Sequence, residues 1–190
     1  MIIVKKKEIY KSDLFSLRVI KKSDLNGDWY KWFNDKKVTR FMDKGEFKNT
    51  RIKQYQYFKK INKSKTDIIF AICNNKKTHI GNVGLHSIKK KGAQFGIFIG
   101  NLRYHNLGIG KKTWYIITNF AFKDLKLNFI TTKIMELNLS SIKIAKSFGF
   151  INVKKKIEYI YKDKKKFKYN SYRLTKKKFL KKINEKKNNF

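Results

Sequence analysis

Two glycines, Gly108 and Gly110, stand directly before a lysine pair, Lys111 and Lys112, and shortly after a strand-forming run, Gly96-Ile97-Phe98-Ile99-Gly100. Glycines in such a place let the backbone turn its N–H groups toward one point, and amides at the positive end of a following helix suit phosphate oxygens. The lysines add charge, and Leu107 and Ile109 flank the first glycine. The string is not the eight-residue phosphate loop, because no Gly-x-x-x-x-Gly-Lys-Ser/Thr is present, and it lacks the third glycine of the dinucleotide fingerprint. By itself it is equally a tight turn leading into a helix.

A second segment carries chemistry further on. Asn138-Leu139-Ser140-Ser141 opens an apolar stretch that ends at Phe148-Gly149-Phe150, and Glu136 lies two residues ahead of Asn138. Ser141 offers a hydroxyl and Glu136 a carboxylate; the plainer alternatives are a first-turn hydroxyl and a solvated strand-end charge. His79 starts a strand and is expected at the surface. His86 alternates with Leu85, so it either faces an acceptor pocket or is a satisfied strand histidine. His105 precedes the glycines, where a phosphate contact is open to it. Cys73, the single cysteine, closes an apolar strand and reads as packing.

The elements that must position these residues follow from periodicity. Phe15 to Ile20, Ile68 to Cys73, Thr78 to Ile88, Ala93 to Gly100, Phe129 to Met135, Val153 to Tyr161 and Phe167 to Leu174 read as strands. Leu25, Trp29, Trp32 and Phe33 share one face of a helix that Ser23 can cap. Thr50 caps a second, carrying Ile52, Tyr55, Phe58 and Ile61, and a charged loop from Asp35 to Asn49 joins the two. A long helix runs from the glycines to Leu125, and a short one from Asn138 to Gly149, a helix-ending residue. The order β, α, α, β, β, β, α, β, α, β, β is a mixed α+β single domain, residues 1–175, followed by a lysine-rich helix or tail, 176–190.

Composition narrows the function. The 190 residues carry 48 Lys+Arg against 13 Asp+Glu, a net charge of +35, with five arginines only and no proline. The 41% hydrophobic content argues against wholesale disorder. One cysteine supports neither an internal disulfide nor, on its own, a zinc site. No apolar run reaches the ~18 residues of a membrane span, and the first residues are too short an apolar stretch for a signal peptide. A reducing cytoplasm is the expected setting. Nucleic-acid readers rely on arginine for bidentate contacts, and the lysines here are spread from Lys5 to Lys187, so the charge reads mainly as compositional drift.

The sequence of strand, Gly-x-Gly, helix, strand, Asn-x-x-Ser, helix and Gly-Phe, with 28 residues from Gly110 to Asn138, resembles the GNAT superfamily of acetyl-CoA-dependent N-acetyltransferases. The likeness runs from about Leu17 to Leu174. Trp29-Tyr30-Lys31-Trp32-Phe33-Asn34-Asp35 with Val38, and Ile80-Gly81-Asn82-Val83-Gly84-Leu85, resemble the branch that contains ribosomal-protein N-terminal, spermidine and amino-sugar acetyltransferases. The resemblance implies a GNAT fold: one mixed central sheet of about six to seven strands, splayed between the fourth and fifth, with helices on both faces. It implies acetyl-CoA as cosubstrate, held by Phe98, Ile99, Leu107, Gly108, Ile109, Gly110, Lys111, Lys112, Asn138 and Ser141, and no metal. Trp32, Asn34, Arg40, Phe41 and His86 become the expected acceptor-binding residues. Homodimers are common in such families.

The implied chemistry is direct transfer, in which an amine attacks the thioester carbonyl while backbone N–H groups of Gly96 to Gly100 hold the developing negative charge. This chain departs from the family pattern twice. Ala145 stands where many relatives place an acidic tyrosine, which turns attention to Ser141 as the acid. Gln94 stands where many carry a glutamate base, which leaves Glu136 as the remaining carboxylate. The acceptor expected is a nucleotide-linked amino sugar or another small amine. The rivals are a protein N-terminus, as on a ribosomal protein, and an inactive basic module that binds nucleic acid.

Overall fold

The structure is a computed structural model that describes residues 8–43, 47–162 and 165–187. Eight strands form one open sheet in the order β1-β2-β3-β4-β5-β6-β8-β7. They are β1 (Glu8–Lys11), β2 (Phe15–Val19), β3 (Ile68–Asn74), β4 (His79–His86), β5 (Gly92–Ile99), β6 (Phe129–Met135), β7 (Ile151–Lys162) and β8 (Lys165–Thr175). All neighbours are antiparallel except β5 and β6, which the crossover helix α4 (Ile109–Lys123) joins in parallel.

That parallel pair sets the architecture. It has three rungs only, Gly92↔Phe129, Ala93↔Ile130 and Gln94↔Thr131. Beyond Gln94, β5 continues against β4 as far as Ile99, and β6 continues against β8 as far as Met135. Two strand edges therefore face each other without pairing, and the sheet opens into a wedge between them.

β3 is buried along its whole length because both faces of the sheet are covered there. Ile68, Phe70 and Ile72 point into a core with Ile109, Trp114, Ile117 and Ala121 of α4. Ile69, Ala71 and Cys73 point the other way, onto Trp29 and Trp32 of α1 (Trp29–Trp32) and onto Phe58 and Ile61 of α3 (Arg51–Lys63). This alternation follows from the two-residue period of a strand. Cys73 is a free, buried member of the second core.

Several details differ from the sequence reading. Strand β1 was not expected; it is a four-residue edge strand with a register shift, too short and too weakly alternating to show in sequence. The first expected helix is a 3-10 turn, Lys22–Asn26, and then the single turn α1, with Gly27 ending the former. The charged loop contains α2 (Lys36–Thr39), started by the Asp35 carboxylate accepting from Lys37 N–H. Thr50 caps α3 as expected, but the buried face is Gln54, Phe58 and Ile61, while Ile52 and Tyr55 are exposed. The buried Gln54 accepts at Oε1 from Asn49 Nδ2 at 3.1 Å, while its Nε2 has no hydrogen-bond partner among the described residues. Helix α5 (Leu139–Ser147) ends at Gly149, whose φ of +90° suits glycine. The lysine-rich end is helix α6 (Lys176–Lys187), and its Phe179, 1% exposed, packs between Tyr115 and Phe122 of α4.

Candidate active site

The glycine loop sits at one end of the wedge. Gly108 is the residue before α4, with φ +74°, and no side chain caps the helix. The first intrahelical bond runs from Lys112 N–H to Gly108 C=O, which leaves the amides of the first turn without intrahelical partners. Leu107 is exposed beside it, and Ile109 is buried. Lys111 projects into solvent, whereas Lys112 turns to β1, its Nζ 5.5 Å from the Tyr10 ring. That ammonium also holds the Tyr10 hydroxyl below its ordinary pKa despite the opposing effect of burial.

The loop is fixed from behind. Asn74 Nδ2 donates to Tyr104 Oη at 2.7 Å, and His105 Nε2 donates to Ile99 C=O at 2.9 Å. His105 is thus committed to the end of β5, not free for a phosphate. Gly100 and Asn101 N–H both donate to Ile80 C=O. A Cβ on Gly100 would fall inside the Trp32 indole, so this glycine is what allows α1 to lie against the strand end.

The acceptor residues expected from sequence are distributed over the mouth and its supports. Trp32 is 6% exposed and edge-on to His79 and Phe98, so its ring is core and supports Phe98. Asn34 is a clamp: its Nδ2 donates to Asn49 C=O at 3.0 Å and its Oδ1 accepts from Asn49 N–H at 2.7 Å. Arg40 is exposed, with its guanidinium 4.6 Å from the Phe41 ring. The loop after α2 reaches across the wedge, because Tyr169 Oη on β8 donates to Phe41 C=O at 3.1 Å. Burial, reinforced by the charge of Asp43, pushes that phenol up to about 12, so it stays a donor.

On the far arm, Asn138 Oδ1 accepts from Ser141 N–H at 3.2 Å and caps α5. The half-buried Ser141 hydroxyl therefore stands in the first turn after the open edge of β6, and Ala145 is fully buried one turn later. Glu136 is exposed at the end of β6, its N–H tied to Lys168 C=O. Phe98 and Ile99 lie half-buried on β5, and Gly96 has open space where a Cβ would be. His86 and Gln94 are cross-strand partners at the closed end of the wedge.

His79 overturns the expectation of an exposed strand start. Its ring is wedged edge-on between Trp29 and Trp32, and Nε2 donates toward Gly81 C=O at 2.9 Å and Asn82 Oδ1 at 3.0 Å. Its Nδ1 is buried without a hydrogen-bond partner among the described residues, 3.9 Å from Asp24. Burial lowers its pKa. Asp24 is itself held by both Arg18 nitrogens, at 2.9 and 2.6 Å, and by Lys21 N–H. The sequence signal for this cluster was Arg18 and Asp24 flanking a strand end, too common a spacing to single out.

The family model for the Acetyltransferase (GNAT) domain matches residues 15–151. The chain belongs to the GNAT acetyltransferase family. No curated protein sequence matches it. Among solved structures, spermidine N-acetyltransferase from Vibrio cholerae in complex with CoA and spermine superposes with a TM-score of 0.80 at 16% identity, covering 89% of this chain and 99% of that one. RimL, a ribosomal L7/L12 alpha-N-protein acetyltransferase in complex with coenzyme A, gives 0.77 at 13% identity, with 88% and 97% covered. An acetyltransferase of the GNAT family from Bacillus anthracis gives 0.72 at 17%, with 90% and 99% covered.

The protein is therefore an acyltransferase with acetyl-CoA as cosubstrate, and the site suits that molecule. Gly96 and Gly108 leave space where side chains would stand, and the first-turn amides of α4 lack a capping side chain. Beyond Gln94 the edge of β5 on the β6 side has no ladder partner, so its backbone groups there are open to another partner. Among the described residues, no group of three His, Cys, Asp or Glu side chains could hold a metal ion, and no helix is long and apolar enough to cross a membrane.

Proposed function

We propose that the protein acetylates the primary amine of an anionic small molecule, a nucleotide-linked amino sugar above all, in a reducing cytoplasm to which its one buried thiol is suited. In this reading Gly108, Ile109, Gly110 and Lys111 hold the pyrophosphate, and the β5 edge at Phe98 and Ile99 holds the thioester. Ser141 supplies the proton to the leaving thiolate, and Asn138 fixes the turn that carries it. Phe41 and Arg40 border the acceptor.

The observation that carries the choice of acceptor is charge. The net charge is +35, and Arg40, Lys36 and Lys37 lie along the loop that crosses the wedge. A polyamine such as spermidine, the acceptor named for one structural neighbour, brings several positive charges into that field and is repelled. A sugar linked to a nucleoside diphosphate brings negative charge and is drawn in. A basic protein N-terminus is disfavoured on the same ground, and the intact wedge argues against an inactive binding module.

Competition settles the matter. The protein is incubated with acetyl-CoA and an equimolar mixture of UDP-linked amino sugars, spermidine, and acidic and basic N-terminal peptides, and products are read by mass spectrometry. Acetylation of a nucleotide sugar ahead of the others is expected. Preferential acetylation of spermidine or of a basic peptide overturns the charge argument, and no acetylated product overturns amine transfer.

A further inference from the structure

A histidine–aspartate pair stands at the closed end of the wedge, where His86 is the cross-strand partner of Gln94. His86 Nδ1 lies 3.1 Å from Asp67 Oδ1. A carboxylate only accepts, so Nδ1 carries the proton of that bond. Asp67 is itself fixed: Oδ2 accepts from Ser64 Oγ at 2.6 Å and Thr66 Oγ1 at 3.2 Å, and Oδ1 also accepts from Ser87 N–H at 3.3 Å. Burial alone would raise its pKa, but these donors and His86 hold it below the usual carboxylate range. Ser87 has φ +49°, a left-handed conformation at the turn that directs its N–H to this carboxylate.

With Nδ1 committed, His86 Nε2 is the free nitrogen of the ring, and it is directed along β4. A Cβ built on Gly84 would lie 2.8 Å from it, so the nitrogen lies over Gly84 and needs a glycine there. Gly84 pairs with Gly96, two residues past Gln94, the last rung before β5 and β6 part. Nothing lies within 4 Å of a Cβ built on Gly96. Gly96 thus leaves open space beside the edge of β5, and the imidazole nitrogen over its partner Gly84 stands at the border of that space. Gln94, the cross-strand neighbour of His86, carries no charge and cannot take a proton. Glu136 is at the opposite end of β6 from these rungs.

We propose that His86 is the general base of the transfer and that Asp67 is its positioning residue. The proposal rests on the amine-acetylation reading above and deepens it. As the amine nitrogen bonds to the thioester carbonyl carbon, its proton passes to His86 Nε2. The carbon–sulfur bond breaks and the departing thiolate takes the proton of Ser141, which solvent restores as His86 releases its own. Asp67 fixes the tautomer and steadies the imidazolium, as an orienting carboxylate does in other proton-transfer pairs. The charged or titratable groups around the ring are Asp67 in direct contact, Tyr57 of α3 near Asp67, and, on the same face beyond Gln94 and Thr131, Arg173 opposite Thr131 and Lys133 two residues along β6, ion-paired with Glu158.

The test has two arms, one of which needs no acceptor. Nitrogen-15 shifts of the His86 ring at neutral pH are expected to show Nδ1 protonated and Nε2 bare, with Asp67→Asn weakening that preference. A ring protonated on Nε2 alone overturns the proposal. The second arm uses whichever amine the wild-type protein acetylates in the competition above. His86→Gln is expected to lower kcat/KM by about 100-fold or more and remove the acid limb of its pH profile, with acetyl-CoA affinity unchanged. His86→Ala is expected to regain activity with added imidazole. Wild-type activity and pH profile in His86→Gln overturn the proposal, as does loss of the acid limb in Glu136→Gln instead. A wild type that acetylates no amine contradicts the amine-transfer reading, and the tautomer measurement still decides whether the pair is set as proposed.

Discussion

Ser141 and His79 make opposite uses of a polar side chain. Ser141 stands half-exposed in the first turn of α5, where a proton can be delivered; His79 is sealed among aromatic rings, where a proton is unwelcome. Ser141→Ala is expected to lower kcat by about 100-fold while leaving the dissociation constant for acetyl-CoA near its wild-type value, measured by initial rates and calorimetry. For His79 the consequence is one of stability. Its folded pKa is lowered by burial, so below the unfolded value of about 6.5 the unfolded chain binds a proton that the native state refuses. Stability is then lost as pH falls through about 6.5 toward the folded value. Asp24 adds a separate, more acidic window: burial opposes its ionisation, but Arg18 and Lys21 N–H hold it ionised, and that contribution is lost only below about 4. Urea midpoints at pH 7.5 and 5.5 are expected to differ, and His79→Asn is expected to flatten that slope.

At the scale of the element, the proposed reading gives the cosubstrate to the glycine loop and its helix. Gly108→Ala places a Cβ on a backbone with φ +74°, which costs about 1–2 kcal/mol and disturbs the first-turn amides. A weaker affinity for coenzyme A, larger than the loss of melting temperature explains, is the expected result by titration. Gly100→Ala acts differently, through Trp32, and is expected to destabilise the fold by about 1–3 kcal/mol in urea unfolding. Much of this was legible in sequence: the Gly108/Gly110 turn, the Asn138 cap, the Gly149 stop and the strand alternation each leave a local signature. The supports did not. Asn34 with Asn49, Tyr169 with Phe41, and His86 with Asp67 are joined by 15, 128 and 19 residues of intervening separation. Pairings of that kind are set by tertiary register, which no local pattern encodes. Strand β1 escaped for a simpler reason, since four residues at an edge carry too little alternation.

For the molecule as a whole, charge and topology act together. The wedge opens where the one parallel pair in an otherwise antiparallel sheet ends, and helices cover the sheet on both faces. In the proposed reading the net charge of +35 then biases which amines arrive. Attraction of this kind is screened by salt, so the KM for a nucleotide-linked amino sugar is expected to rise between 20 mM and 500 mM sodium chloride while that for an uncharged amine stays level. Helix α6 belongs to the same body: Phe179→Ala is expected to cost about 3–5 kcal/mol, seen as a lower urea midpoint. The claim on which all of this turns is that the two substrates meet over the open space at Gly96. Its φ is not left-handed and no atom lies within 4 Å of its Cβ position, so the side chain of Gly96→Phe starts into open space. An unchanged melting temperature and at least about 100-fold slower acetylation of the amino sugar are expected, and acetylation by Gly96→Phe at the wild-type rate would overturn that claim.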